Sequence, residues 1–385
     1  MIKELYYTLK TLNSRPSGRD SSILRLICQS LPMYFLRNGY SLPPLNLYLS
    51  VNSSCNLKCK MCDIGQDDIN GSFYRNIAKE EKADLSFELI KKIIDEVSVF
   101  KPTVHVCCVE PLLYKDIGRV CRYISDKGMN VDLLTNGLLL ENKTEEIVYG
   151  RVRNLWVSLD GPPDIHDSIR GVKGAFELIR KGLVKINDLK KSTGLRLPVL
   201  NCYFVTSNYN YFCLEDFIKS IYGFGFKRIL ISHMNFITKE LSEEHNAKFG
   251  DKYISYPANI SKVDPLAVDT DVLYEQVKKI KRSYIPLCKG DIIFSPSLGR
   301  KGLRDYYHNH RIIVTRTTCF IPWGSAQINA DGEMIIFSRC LPLNCGNIKD
   351  KSFFELWNGA KMREFRKDLQ RYHYFPACSR CIGIL

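Results

Sequence analysis

Two groups of cysteines are spaced for metal chemistry in this chain. Cys55-x-x-x-Cys59-x-x-Cys62 delivers three thiolates from one tight loop. A structural zinc site or a fully ligated [4Fe–4S] cluster takes four protein ligands, so three leave one iron of a cubane open to an incoming molecule. A zinc site completed by a distant His or Cys fits the same spacing. The second group comprises Cys319, Cys340, Cys345 and the terminal pair Cys378-x-x-Cys381. It suits one further iron–sulfur centre, and equally a four-cysteine zinc ribbon. The other cysteines (Cys28, Cys107, Cys108, Cys121, Cys202, Cys213, Cys288) are scattered, often within apolar runs, and read as small buried hydrophobes.

The rest of the composition narrows the class. The chain has 385 residues, 45 % hydrophobic and 25 % charged, enough for a sizeable core. A net charge of +14 is compatible with nucleic acid, anionic lipid or an acidic substrate, and selects none of them. There is no apolar run long enough to span a bilayer, and the start does not read as a secretory signal. A cytoplasmic setting is therefore expected, where metal or redox roles for cysteine outweigh disulfides. Basic and aromatic residues are not interleaved as in RNA-reading surfaces, which makes a nucleic-acid partner the least favoured. The lead-in over residues 1–45 is basic and partly amphipathic (Lys3, Lys10, Arg15, Arg19, Arg25). It is compatible with peripheral contact with an anionic membrane, although a plain solvated face is favoured.

The elements that must position the first cysteine group are legible from periodicity. Asn46 to Val51 is a short β-favouring run leading straight into Cys55. Beyond it, apolar strands (103–107, 130–135, 154–159, 197–205, 228–232) alternate with helical stretches (85–100, 117–127, 143–149, 174–189, 211–222), and Ser86 is placed to cap the first helix. Six β/α repeats between residues 46 and 235 argue for a parallel sheet of right-handed crossovers, an incomplete (β/α)6 barrel. Ligands gather at the carboxyl ends of such strands. Residues 236–318 read as a linker or substrate-side region with a helix at 271–282. Residues 319–385 read as a separate small cysteine-bearing α+β unit, with a hairpin around Ala330-Asp-Gly332 and a helix near 352–370.

In this order, the strings resemble the radical S-adenosylmethionine (SAM) enzymes. The three-cysteine motif follows the first strand, and Met61 matches the bulky residue that lies near the adenine in that family. Val106-Cys-Cys-Val-Glu-Pro-Leu-Leu113 resembles the Gly-Gly-Glu-Pro strand end that receives the methionyl amino group, with Cys108 and Val109 in place of the two glycines. Leu134-Thr-Asn-Gly137, Val157-Ser-Leu-Asp-Gly161 and Ile165-His-Asp-Ser-Ile-Arg-Gly171 resemble the strand ends and loop that follow. The C-terminal pattern is similar to the SPASM auxiliary-cluster domain or its shorter twitch relative. The cysteine usually found five residues after the hairpin glycine is replaced by Phe337.

The resemblance implies an enzyme that reductively cleaves SAM at a [4Fe–4S] cluster held by Cys55, Cys59 and Cys62, forming a 5′-deoxyadenosyl radical that takes a hydrogen atom from substrate. It offers Met61, Glu110, Asn136, Ser158, Asp160 and Arg170 as cofactor contacts. It also implies one auxiliary [4Fe–4S] cluster on Cys319, Cys378 and Cys381, with Cys340 preferred to Cys345 as fourth ligand. An external one-electron donor of flavodoxin or ferredoxin type is implied. Peptide or protein maturation or oxidation is the favoured outcome, and modification of a sugar or lipid-linked small molecule is the alternative. A zinc-scaffold nucleic-acid-binding module is the reading from another class. The catalytic acid or base is not legible, but His233, Asn235, His245 and Asn246 are polar residues of the substrate-side region worth testing.

Overall fold

A computed structural model describes residues 23–79, 81–284, 291–314, 319–336 and 341–381. The basic start up to residue 22, Cys288 and Cys340 lie outside the described residues, as does the Arg25 side chain. Ten strands form one open sheet in the order β10-β9-β8-β1-β2-β3-β4-β5-β6-β7. They are β1 (Asn46–Leu49), β2 (Thr103–Val106), β3 (Val131–Thr135), β4 (Asn154–Ser158), β5 (Val199–Thr206), β6 (Arg228–His233), β7 (Asp291–Ser295), β8 (Ser325–Ile328), β9 (Glu333–Ile336) and β10 (Asn344–Asn347). Every pairing from β8 through β1 to β7 is parallel, and the β8–β9 and β9–β10 pairings are antiparallel.

The β/α series is built as its sequence pattern requires. Leu47, Leu49, Val104, Val106, Leu133, Leu155 and Val157 have no exposed surface. The helix Phe87–Val97 buries Ile90, Ile93, Ile94 and Val97 on one stripe. Each such side chain contributes about 1.5–3 kcal/mol of burial. Ser86 caps that helix by accepting from the Leu89 N–H at 3.2 Å. The partial barrel expected from the alternation is present, and its strands bring the loops after β1 to β6 to one rim.

Three features differ from the sequence expectation. The parallel sheet continues past residue 235, because β7, inside the stretch read as a linker, pairs with β6 along Arg228–Ser232. The hairpin of the C-terminal unit extends the main sheet: β8 lies beside β1 in register from Asn46↔Ser325 to Leu49↔Ile328. A hairpin pattern shows its own turn but not the strand that its outer edge will meet, and burial of Ala326 and Ile328 settles that choice here. The expected helix near 352–370 is two, Phe353–Trp357 and Ala360–Tyr372, broken at Asn358-Gly359. The break is used. The Asn358 side chain accepts from the Ser41 N–H and donates to its carbonyl, while Trp357 Nε1 donates to Leu42 O at 2.9 Å. These bonds strap the segment before β1 onto the C-terminal helices.

The central strand should be the costliest place to open a cavity. Leu47→Ala is expected to lower stability by about 2–5 kcal/mol in urea unfolding, against about 1 kcal/mol for loss of the Ser86 cap in Ser86→Ala.

Candidate active site

The three cysteines enter the rim on the loop after β1, and the fold holds that loop at several points. Gln66 Nε2 donates to the carbonyls of Lys58 (3.0 Å) and Cys59 (2.9 Å), and the Lys60 N–H donates to Ile169 O at 2.9 Å. Asp63, with no exposed surface, accepts from the Asn259 N–H at 2.6 Å and the Phe73 N–H at 3.3 Å. Gly65 lies against the Cys59 backbone: a Cβ there would stand 2.6 Å from the Cys59 nitrogen, so only glycine lets the loop fold back this tightly. Among the described residues no three His, Cys, Asp or Glu side chains are drawn tightly enough together to hold a single metal ion. Burial, the largest effect, pushes Cys55 up to about 12 and raises Cys59 and Cys62; neighbouring thiols add to the rise at Cys55 and Cys62, while Arg170 opposes it at Cys59. Thiols in such surroundings ionise when a metal takes them.

A cleft of about 1140 Å³, partly open to solvent, lies over this loop. Its walls include all three cysteines and all six residues offered above as cofactor contacts: Met61, Glu110, Asn136, Ser158, Asp160 and Arg170. Glu110 is buried at the end of β2. Its carboxylate accepts from the Leu112 N–H (2.9 Å), the Thr135 hydroxyl (2.7 Å) and the Asn136 N–H (2.7 Å). Burial outweighs these donors and raises its pKa from the usual 4.5 to about 7. Asn136 also donates to the Asn56 side chain at 2.7 Å, joining the β3 end to the cysteine loop.

Asp160 and Arg170 form a buried ion pair at 2.5 Å, and the other arm of the guanidinium stands 3.7 Å from Cys59 Sγ. Burial works against the Arg170 charge, but Asp160 and Cys59 overcome it, so its pKa is raised. Asp160 also accepts from the Val205 N–H at 3.2 Å, and its own N–H donates to His166 Nδ1 at 3.1 Å. The pair thus places a permanent cation beside a cysteine sulfur.

Some lining residues carried no strong sequence signal. Cys108, read as a scattered small hydrophobe, lines the cleft with φ +93° and its Sγ 3.6 Å from that of Cys107. The backbone therefore keeps a conformation natural to the glycine of the family pattern, with a side chain added. His233 and Asn235 line the cleft as well. His245 and Asn246 do not: they bond the Tyr253 and Ser255 backbone within their own segment. The run Asp305 to His308 neither lines the cleft nor covers a surface at its centre, since Tyr306 and Tyr307 are fully buried. In the C-terminal unit burial chiefly raises the Cys378 pKa, and Cys381 and Cys319 add to it electrostatically, so these three share one locality. Cys345 lies within electrostatic reach of Arg366 and Lys361, half-buried.

The pattern of the Radical SAM superfamily matches residues 49–221, and that of SPASM, described as an iron–sulfur cluster-binding domain, matches residues 319–382. An AdoMet-dependent heme synthase of Methanosarcina barkeri is 27 % identical over 330 residues, covering 82 % of each chain. An Fe-coproporphyrin III synthase of the same organism is 29 % identical over 201 residues, and the match spans only 46 % of that protein and 51 % of this one. Among solved structures, Streptococcus suis SuiB bound to S-adenosylmethionine superposes with a TM-score of 0.60 at 13 % identity, covering 96 % of this chain and 78 % of that one. The chain belongs to the radical SAM superfamily and carries a C-terminal SPASM domain. It is an enzyme whose cofactors are SAM, a [4Fe–4S] cluster and auxiliary iron–sulfur in the SPASM domain. The zinc-scaffold reading is set aside. No helix among the described residues is long and apolar enough to cross a membrane.

Two variants test this geometry. Gly65→Ala should lose the iron of the first site, measured by iron content, because the loop cannot close on Cys59. Cys108→Gly should keep that iron and gain about 1 kcal/mol of stability by relieving the left-handed backbone.

Proposed function

We propose that this enzyme binds SAM in the rim cleft, with Cys55, Cys59 and Cys62 holding the [4Fe–4S] cluster, and oxidatively modifies a peptide or protein substrate. The bound cofactors supply reductive cleavage of the sulfonium and hydrogen-atom abstraction from substrate. The observation that carries the reading is the convergence of three thiols, Glu110 and the Asp160–Arg170 pair on one cleft formed from successive strand ends. The chain's own contribution is to bind, orient and exclude water. Glu110 would receive the methionyl amino group, Asn136 and Ser158 would offer polar contacts at the next two strand ends, and Met61 would pack on the adenine. Asp160 acts chiefly by fixing Arg170 beside Cys59, since its carboxylate is already engaged.

The peptide reading is supported by fold likeness to SuiB bound to precursor peptide SuiA, at a TM-score of 0.58 and 14 % identity. A second reading, action on an iron porphyrin, is favoured by the heme synthase match along 82 % of both chains. An external one-electron donor of flavodoxin or ferredoxin type completes the system. The domain limits that fit this reading are 46–235 for the radical SAM core and 319–385 for the auxiliary unit, with β7 and β8 completing the sheet.

Anaerobically reconstituted protein should hold about eight irons, on the count for two cubanes, and release 5′-deoxyadenosine when reduced. Cys55→Ala, Cys59→Ala and Cys62→Ala should each abolish that release while the C-terminal iron stays. Turnover with a deuterated peptide pool or with deuterated iron coproporphyrin separates the substrate readings, because only the true substrate passes deuterium to 5′-deoxyadenosine.

Glu110 adds a pH test. Its folded-state pKa lies above the usual one, so its neutral form favours the fold below about pH 4.5, and that stability is lost as pH rises through about 7. The loss is roughly 3 kcal/mol on the general conversion of pKa to free energy, and a SAM N–H donating to the ionised carboxylate would recover part of it. SAM affinity should therefore rise with pH through about 7 in the wild type, and Glu110→Gln should flatten that rise.

A further inference from the structure

Two arginines are buried near the C-terminal cysteines without a salt bridge to a carboxylate among the described residues. Arg380 sits between Cys378 and Cys381 and is 1 % exposed. Its five hydrogen bonds all run to carbonyl oxygens: Tyr306 at 2.5 Å, Asp305 at 2.6 Å, Ser379 at 2.7 Å, and Ile312 and Asn309 at 2.8 Å. Asp305 binds through its carbonyl; its carboxylate supports the charge only at longer range, and burial outweighs that support, so the Arg380 pKa is lowered. Arg366 has no exposed surface and donates to Pro322 O (2.7 Å), Gly39 O (3.1 Å) and the Asn358 side chain (3.0 Å), while its Nη2 has no partner. Pro322 lies three residues after Cys319, and Cys345 is within electrostatic reach of the guanidinium. Among the described residues neither arginine forms an ion pair with a carboxylate.

Guanidinium remains charged in proteins, and burying it against carbonyls and aromatic faces (Trp357 for Arg366, Tyr306 for Arg380) with no salt bridge is expensive. The end of the helix Arg300–His308 supplies partial negative charge to Arg380, not a full counter-charge. The neighbouring cysteines would supply the counter-charge these arginines lack among the described residues, since an iron–sulfur centre with thiolate ligands is negatively charged and gains one more negative charge on reduction.

We propose that Arg380 and Arg366 are the resident counter-charges of the auxiliary cluster and raise its reduction potential, making it an electron acceptor for the reaction in the cleft. This rests on the reading of the C-terminal cysteines as an iron–sulfur site. Buried positive charge favours the more negative, reduced form, and net charge and hydrogen bonding are the levers by which proteins set such potentials. The balance is one electron passing from a carbon-centred substrate radical to the auxiliary cluster, with a proton passing to water and a closed-shell product remaining.

A contact path exists between the two sites. The Arg380 guanidinium lies 4.9 Å from the Tyr306 ring centroid, and Tyr306 packs on His233 with centroids 5.2 Å apart. His233 lines the cleft, and its Nδ1 pairs with the Tyr307 hydroxyl at 2.9 Å.

The test is a potentiometric titration of the reconstituted full-length enzyme followed by electron paramagnetic resonance. The auxiliary signal is the one that added SAM leaves unchanged. Arg380→Gln and Arg366→Gln should each move its midpoint to more negative values, whereas Arg380→Lys, which keeps the charge, should stay near the wild type. If Arg380→Gln fails to retain C-terminal iron, Arg366→Gln, which flanks no terminal ligand, decides the matter. Variants that keep their iron and show an unchanged or more positive midpoint overturn the proposal. Wild-type protein with iron for only one cluster overturns the underlying reading as well.

Discussion

The molecule is organised around one constraint: a single short loop must present three thiols at a common rim, which Cys108 from the next strand end also lines. A thiol trio on a mobile loop would collapse or recruit another ligand, so the loop has to be pinned from outside. Gln66 holds the carbonyls at Lys58 and Cys59, Asp63 ties the loop to Asn259 and Phe73, and Gly65 permits the fold-back onto Cys59. Arg170, itself fixed by Asp160, sets a cation beside Cys59. The sheet explains why these anchors meet. Parallel strands place the ends of β1 to β6 along one edge, so residues far apart in sequence face one cleft.

Much of this was legible in the sequence because the relevant signals are local. The three-cysteine spacing, the β/α alternation and the Ser86 cap are all short-range patterns, and each appears in the structure where it was expected. The cleft residues Met61, Glu110, Asn136, Ser158, Asp160 and Arg170 were reached through resemblance to a family, and they do line one cavity. What they do there is still read from chemistry.

The long-range features were not legible. The pairing of β8 with β1 depends on which edge Ala326 and Ile328 can bury, and periodicity does not encode that. β7 was hidden within a stretch of irregular composition. Cys108 looked like a core hydrophobe because its backbone angle, rather than its side chain, marks the site. Nothing in the local sequence marks Arg366 or Arg380 as buried, yet both are enclosed. Burial of a charge is a tertiary fact. Here it links the C-terminal cysteines to the cleft through Tyr306 and His233.

The central claim concerns the iron corner that the protein leaves without a ligand. Mössbauer spectroscopy of enriched, anaerobically reconstituted enzyme, before and after SAM is added, addresses it directly. The account predicts that one iron of the cluster at Cys55, Cys59 and Cys62 acquires a distinct, higher-coordinate signature on SAM addition, while the auxiliary irons are unmoved. A spectrum indifferent to SAM, or a first site that binds zinc in place of iron, would contradict it.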